Sequence, residues 1–212
     1  MSRWLKAAKE NLIPCSESKE FNSALLEWFF TGAVIGYEYE VECELCGCML
    51  LKAHFKIENK KTKNTLLVGS SCIQRFGGIS IFDDAGILVT GKNERKASLE
   101  KAYKNKIRET MLEPLRTLWR NRKLDRRFIE ANAKQLKEGE GISPNALAML
   151  FKLMREQRIE YKPNLYKVSL RSNLDQIELD SMPTQDKCLI LQALSKQQIK
   201  RLNQGENHGP WG

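Results

Sequence analysis

The sequence lacks any long apolar run. Its longest, residues 24–36, is interrupted by Glu27 and Thr31 and falls short of the roughly 18 consecutive apolar residues that a membrane span needs. The start, Met1-Ser-Arg-Trp-Leu-Lys-Ala-Ala-Lys-Glu10, is charged and has no apolar stretch of the kind a secretory leader carries. No membrane association and a cytoplasmic location are therefore expected. Cysteine is sparse for a disulfide framework, six in 212 residues. Histidine is scarcer still, with only His54 and His208. The patterns Gly-x-Gly-x-x-Gly, Walker loop, Gly-x-Ser-x-Gly and His-Glu-x-x-His are all missing, so the common nucleotide-binding, hydrolase and zinc-peptidase chemistries lack their local signatures. Internal repeats and low-complexity tracts are lacking too. A 42% hydrophobic share still supports a core, and the length suits one elaborated domain or two small ones.

What the chain does have is unevenly placed positive charge. The formal net charge is +9, from 35 Lys plus Arg against 26 Asp plus Glu. Residues 94–137 alone hold 14 Lys plus Arg and 6 Asp plus Glu, a net of +8. Charge so concentrated is an electrostatic footprint for a polyanion, with nucleic acid the first candidate, whereas scattered charge would speak mainly to solubility. A solvated helix face that binds nothing is the plainer alternative.

Periodicity divides the chain. Residues 2–30 read as two helices, the second running through Phe21, Leu25, Leu26, Trp28, Phe29 and Phe30 and ended by Gly32. Residues 33–42 alternate as a strand. Leu51, Ala53, Phe55 and Ile57 alternate with Lys52, His54, Lys56 and Glu58, a polar loop spans 59–64, and residues 65–68 complete a hairpin. Residues 72–76 suit a short helix with a serine cap before Gly77-Gly78. Residues 79–90 read as a further hairpin around Asp83-Asp84-Ala85-Gly86, where a turn accounts for the paired aspartates more simply than a metal ion. Helices are expected over 93–121, from an Asp125 cap to Lys137, from Ser143-Pro144 to Arg158, and over 184–203 with Gly205 as the stop. The segment 165–182 shows only partial amphipathicity. The expected fold is α+β: two helices, a small zinc-stabilised β-hairpin module, and a mainly helical C-terminal region. The expected divisions are a zinc module over 1–91, a basic helical region over 92–205 and a loose tail over 206–212.

The sharpest local signal is Cys43-Glu-Leu-Cys46-Gly47, followed by His54 and by Cys72 at a helix start. A two-residue gap lets two thiolates on a tight turn reach one tetrahedral ion, and Gly47 permits the turn. The order of turn, hairpin and helix over residues 43–76 resembles a treble-clef zinc module, about a sixth of the chain. Treble clefs commonly take two ligands from the helix, and here Cys72 stands alone, so a fourth donor must come from elsewhere. His54 is the first candidate, because strand parity sets it off the apolar face, and Cys48 is the reserve. Reduced buried thiols are the alternative for the cluster and the preferred reading for Cys15 and Cys188. Four protein ligands leave no position for water, which makes such a zinc structural. An HNH-type nuclease needs a histidine base and further metal ligands, and His54 cannot serve as ligand and free base at once.

Within the basic segment, Arg116, Arg120, Lys123 and Arg127 follow steps of 4, 3 and 4 and share one face if a single helix runs through Asp125. Such a row can lie along a phosphate backbone, positioning without reading sequence. Lys60, Lys61 and Lys63 in the hairpin loop offer a second anchor. Trp119 and Phe128 can stack on bases, though their spacing favours core packing. The leading expectation is thus a non-enzymatic, zinc-containing nucleic-acid-binding protein, DNA ahead of RNA. The alternatives are a zinc-scaffolded protein-interaction module, such as an inhibitor or adaptor of a nucleic-acid enzyme with a resemblance to small zinc-knuckle proteins of bacteria and phages, and an HNH-like nuclease.

Overall fold

The structure is a computed structural model that describes residues 2–35, 42–49, 51 and 53–205, with side chains to residue 202. The expected strand positions 36–41, the 206–212 tail and His208 lie outside the described residues. The chain packs as two compact units, Met1–Lys106 and Ile107–Gly212. The division falls inside a helix rather than at residue 91, because the N-terminal half of that helix sends Leu99, Ala102 and Tyr103 into the first core while Met111, Leu115 and Leu118 belong to the second.

The first unit opens with α1 (Arg3–Leu12), whose Ala8 and Leu12 are fully buried one turn apart. A short helix α2 (Phe21–Leu25) follows, capped by the Glu20 carboxylate, which accepts from the Asn22 and Ser23 amides. The expected continuation of this helix to Phe30 is overturned: Trp28–Ile35 is strand β1. Trp28 and Phe30 are buried and Phe29 between them is less so, a period of two. Backbone pairing decides the matter. On one edge Trp28 faces Asn59 and Phe30 faces Ile57 of β2 (His54–Asn59), and on the other Ser80 donates to the Trp28 carbonyl at 2.9 Å while its own carbonyl accepts from Phe30 at 2.8 Å. Gly32, at φ +81°, lies where the β1–β2 register shifts, so it serves a bulge rather than a helix stop. β3 (Thr65–Val68) completes an antiparallel sheet in the order β1-β2-β3, with the 59–64 loop as expected.

A buried carboxylate ties the sheet to the N-terminal segment. Glu27 accepts from the amides of Glu17 and Ser18 at 2.9 and 2.8 Å and from Asn59 Nδ2 at 2.8 Å. Desolvation, the largest single influence, pushes the Glu27 carboxyl up, but these hydrogen bonds together outweigh it and hold the group below its ordinary 4.5. A depressed carboxylate stabilises the fold above the unfolded value, and that contribution is lost as pH falls through the lower folded one. Glu27→Gln is therefore expected to cost about 1–3 kcal/mol at pH 7, and to flatten the loss of stability below pH 4.5, as read by denaturant melts across pH. Equal melts for the variant and the parent at pH 7 would contradict this.

After the sheet, α3 (Ser70–Arg75) begins at Gly69, with no side-chain cap bond, so the expected serine cap is not used. Within residues 79–90 Ser80 bridges Phe29 of β1, and Phe82 bridges Leu88 around Asp83, whose carboxylate accepts from the Ala85 and Ile87 amides. This is the expected turn.

In the second unit the helix α4 (Lys92–Arg120), shared with the first, is followed by α5 (Arg126–Lys137) and α6 (Pro144–Glu156). Asp125 and Ser143 cap α5 and α6 by accepting from the Phe128 and Ala146 amides, as the sequence predicts. The segment with no sequence account supplies core: Val168 bridges Ile142, Tyr166 is 2% exposed, and α7 (Asn173–Ser181) is closed by a Ser172–Asp175 capping box. The single C-terminal helix expected over 184–203 is instead α8 (Thr184–Ile190), a 3-10 turn over Leu191–Ala193 and α9 (Lys196–Gly205). Ser195 restarts the helix: its hydroxyl accepts from the Gln198 amide while the Gln198 side chain accepts from the Ser195 amide, so Ser-x-x-Gln acts as a capping box. No helix among the described residues is long and apolar enough to cross a membrane.

Candidate metal centre

The first cysteine pair sits on a turn closed by two backbone bonds, Gly47 N–H to the Cys43 carbonyl at 2.8 Å and Cys43 N–H to the Cys48 carbonyl at 2.9 Å. Gly47 has φ +70°, where a side chain would be strained. Leu45, fully buried, pins the turn to the core, and Asn11 donates to its carbonyl. Glu44 fastens the turn to β3: its amide donates to the Leu67 carbonyl at 3.0 Å, and its carboxylate accepts from the Leu67 amide. Cys72 arrives from the first turn of α3.

These elements bring three sulfurs together. Cys43 Sγ lies 3.7 Å and Cys46 Sγ 3.2 Å from Cys72 Sγ, and all three lie within 4.8 Å of one another. Thiolates about 2.3 Å from one tetrahedral ion stand about 3.8 Å apart, so the spacing fits a metal of that kind. No disulfide joins them, although the pairs are close. The Cys43 sulfur also accepts from the Gly69 amide at 3.4 Å. The hydrogen bond between Cys43 and Cys72, with help from Gly69 and against burial, draws the Cys43 thiol down to about 5. The same hydrogen bond, then burial and the Cys43 charge, push Cys72 up, and burial pushes Cys46 up. Three converging cysteine side chains are a donor set in which a divalent cation can replace the thiol protons. The three cysteines can thus hold a metal ion.

The other two candidate donors lie outside that group. His54 pairs across from Ile35 at the start of β2 and is 4% exposed, and its Nε2 is buried with no hydrogen-bond partner among the described residues. Parity sets it opposite Phe55 and Ile57, but Ala53, His54 and Phe55 are all buried, so both faces of the sheet are covered at this end and burial does not set His54 apart. Cys48 is exposed and directs its Sγ to the Met49 carbonyl. Cys15 is half-buried and Cys188 exposed, so the buried-thiol expectation fails for Cys188.

The basic row does not survive as one helix face. α4 ends at Arg120, residues 121–124 turn, and Asp125 begins a new helix as its cap, so Arg116 and Arg120 lie on α4, Lys123 on the turn and Arg127 on α5. An aspartate that caps cannot also be a helix interior residue, and the capping signature wins locally. Arg116 is engaged by Glu109 at 2.7 Å and Glu113 at 3.2 Å. Arg95, counted in the basic segment, is buried and donates to the Ile73 and Ile79 carbonyls at 2.9 Å. Sequence gives no sign of that role. Arg120, Arg122, Lys123 and Arg127 are exposed and form no salt bridge among the described residues. In the hairpin loop Lys61 meets Glu17 and Glu27, Lys63 meets Glu58, and Lys60 lies over the Phe82 ring and near Ser80. Phe128 packs on the second core as expected, whereas Trp119 is 43% exposed with the Arg126 guanidinium 4.5 Å above its ring.

No family model, curated protein or solved structure matches this chain.

Proposed function

We propose that this is a non-enzymatic, zinc-containing nucleic-acid-binding protein. In the first unit zinc is structural, of treble-clef type, held by Cys43, Cys46 and Cys72; His54, whose buried Nε2 has no hydrogen-bond partner among the described residues, is proposed as the fourth donor ahead of the exposed Cys48, and since it lies outside the group of three sulfurs it has to move toward them on binding. A zinc ion there supplies coordination bonds between the 43–46 turn and α3. The observation that carries this reading is the convergence of three sulfurs from positions 29 residues apart in sequence. In the second unit, cations around the α4–α5 turn contact phosphates, DNA ahead of RNA. Arg120, Arg122, Lys123 and Arg127, which form no salt bridge among the described residues, support this part, since a side chain already neutralised gains less from a phosphate.

The test is duplex DNA binding by anisotropy over a salt series. The parent protein is expected to bind, and Arg122→Glu/Lys123→Glu/Arg127→Glu to weaken binding at every sequence and reduce the salt slope by about 0.9 for each phosphate contact removed. Undiminished binding by that variant removes the nucleic-acid reading. A second reading, a zinc-scaffolded protein-interaction module, is favoured by Leu174 and Ile177, three residues apart on α7 and 71% and 60% exposed. A stoichiometric protein partner retained after nuclease treatment would select it.

A further inference from the structure

The second unit carries a groove of about 600 Å³ between α4 and α5. Its floor is apolar, formed by Leu112, Leu115, Ile129 and Ala133. Trp119 lines it with an indole 43% exposed, although Leu115 and Leu118 on the same helix are buried. The guanidinium of Arg126 is stacked on that indole, and its Nε is buried with no hydrogen-bond partner among the described residues. Cations stand on both sides, Arg120 from α4 and Lys134 and Lys137 from α5, with Glu130 the one carboxylate among the lining residues, while Arg116 is engaged by Glu109 and Glu113.

We infer that this groove seats an unpaired base of single-stranded nucleic acid against Trp119 while the flanking phosphates meet Arg120, Lys134 and Lys137. The inference rests on the nucleic-acid reading above and names the form of nucleic acid bound. An apolar slot gains from a flat ring that can leave water, and every base has such a face. Duplex DNA keeps those faces stacked inside and offers the slot only backbone and edges. Positive charge also continues past the groove to Arg122, Lys123 and Arg127 on the α4–α5 turn. That extension suits a continuous polyanion better than the local acidic patch of a protein.

The experiment compares, with the full chain, a labelled twelve-nucleotide oligothymidylate, an abasic strand of the same length and a twenty-base-pair duplex. Ala133→Phe fills the groove from α5 and Trp119→Leu removes the stacking face, and neither changes a charge. Thermal melts matching the parent show that the variants fold. Oligothymidylate affinity is expected to fall about ten-fold or more in both variants, duplex affinity to stay within about two-fold, and the abasic strand to bind the parent as weakly as oligothymidylate binds the variants. Undiminished oligothymidylate binding in both folded variants, or equal binding of the abasic strand, overturns the groove assignment while the phosphate reading stands. Failure of the parent to bind any of the three overturns both. Displacement of oligothymidylate by polyglutamate at equal charge concentration assigns the groove to an acidic polypeptide and overturns the inference.

Discussion

Removing the metal is expected to unfold the first unit and leave the second folded. The proposed ligands are not appended to a finished core: Cys43 and Cys72 are 1% and 3% exposed, and Leu45 and Ile73, each adjacent in sequence to ligands, are fully buried. The apolar cluster therefore closes around the cysteine site, and uncompensated thiols at its centre weaken it from within. Structural zinc sites contribute about 10–16 kcal/mol of apparent binding free energy at neutral pH. That is as large as the whole stability of a typical domain, about 5–15 kcal/mol. Hydrogen exchange after chelation is the suitable measurement, because it reads the units separately. Amides of β1, β2, β3 and α3 are expected to lose protection, and those of α6 to keep it. Cys72→Ser is expected to behave as the chelated protein does. Cobalt substitution distinguishes the fourth donor: loss of the tetrahedral spectrum in His54→Ala but not in Cys48→Ser supports His54, and the reverse supports Cys48. A metal-free protein with full protection in residues 54–75 would refute the zinc proposal.

Phe151→Ala is expected to destabilise the second unit by about 3–5 kcal/mol, the usual range for truncating a fully buried aromatic. Phe151 is 0% exposed, with its ring stacked on Tyr161 at 4.5 Å and edge-on to Tyr166 at 5.1 Å. Tyr166 in turn donates its hydroxyl to the Met111 carbonyl at 2.8 Å. The ring thus joins α6, the 161–166 segment and the end of α4 that belongs to this unit. Deleting it opens a cavity walled by side chains that other contacts hold in place, so relaxation recovers little. Denaturant unfolding followed by exchange in 144–156 gives the cost, and metal content is expected to be unchanged. A loss below about 1 kcal/mol would mean that this core is not closed around Phe151.

Several elements were legible because their information is local. Asp125, Ser143-Pro144 and the 59–64 loop announce a helix cap, a helix start and a hairpin within a few residues, and the structure has each. The two-residue spacing of Cys43 and Cys46 is a local signal of the same kind. Where two local signals competed, the stronger chemistry decided: a capping aspartate breaks the Arg116 to Arg127 row, and the Ser195-to-Gln198 box breaks the last helix. The sequence contained both devices, but periodicity alone passes over them.

By itself, then, the amino-acid order determined the α+β class, the two neighbouring thiols and the concentration of positive charge, because these follow from composition and from interactions a few residues long. Tertiary structure decided the rest. Trp28 to Phe30 became a strand because partners lie on both edges, from β2 and from Ser80. Cys72 joined Cys43 and Cys46 because α3 folds back over the turn. Arg95 turned inward to two carbonyls, Arg116 found Glu109, and Trp119 was left half in water beside a groove. Burial and pairing depend on segments distant along the chain, and a period or a motif cannot carry that information.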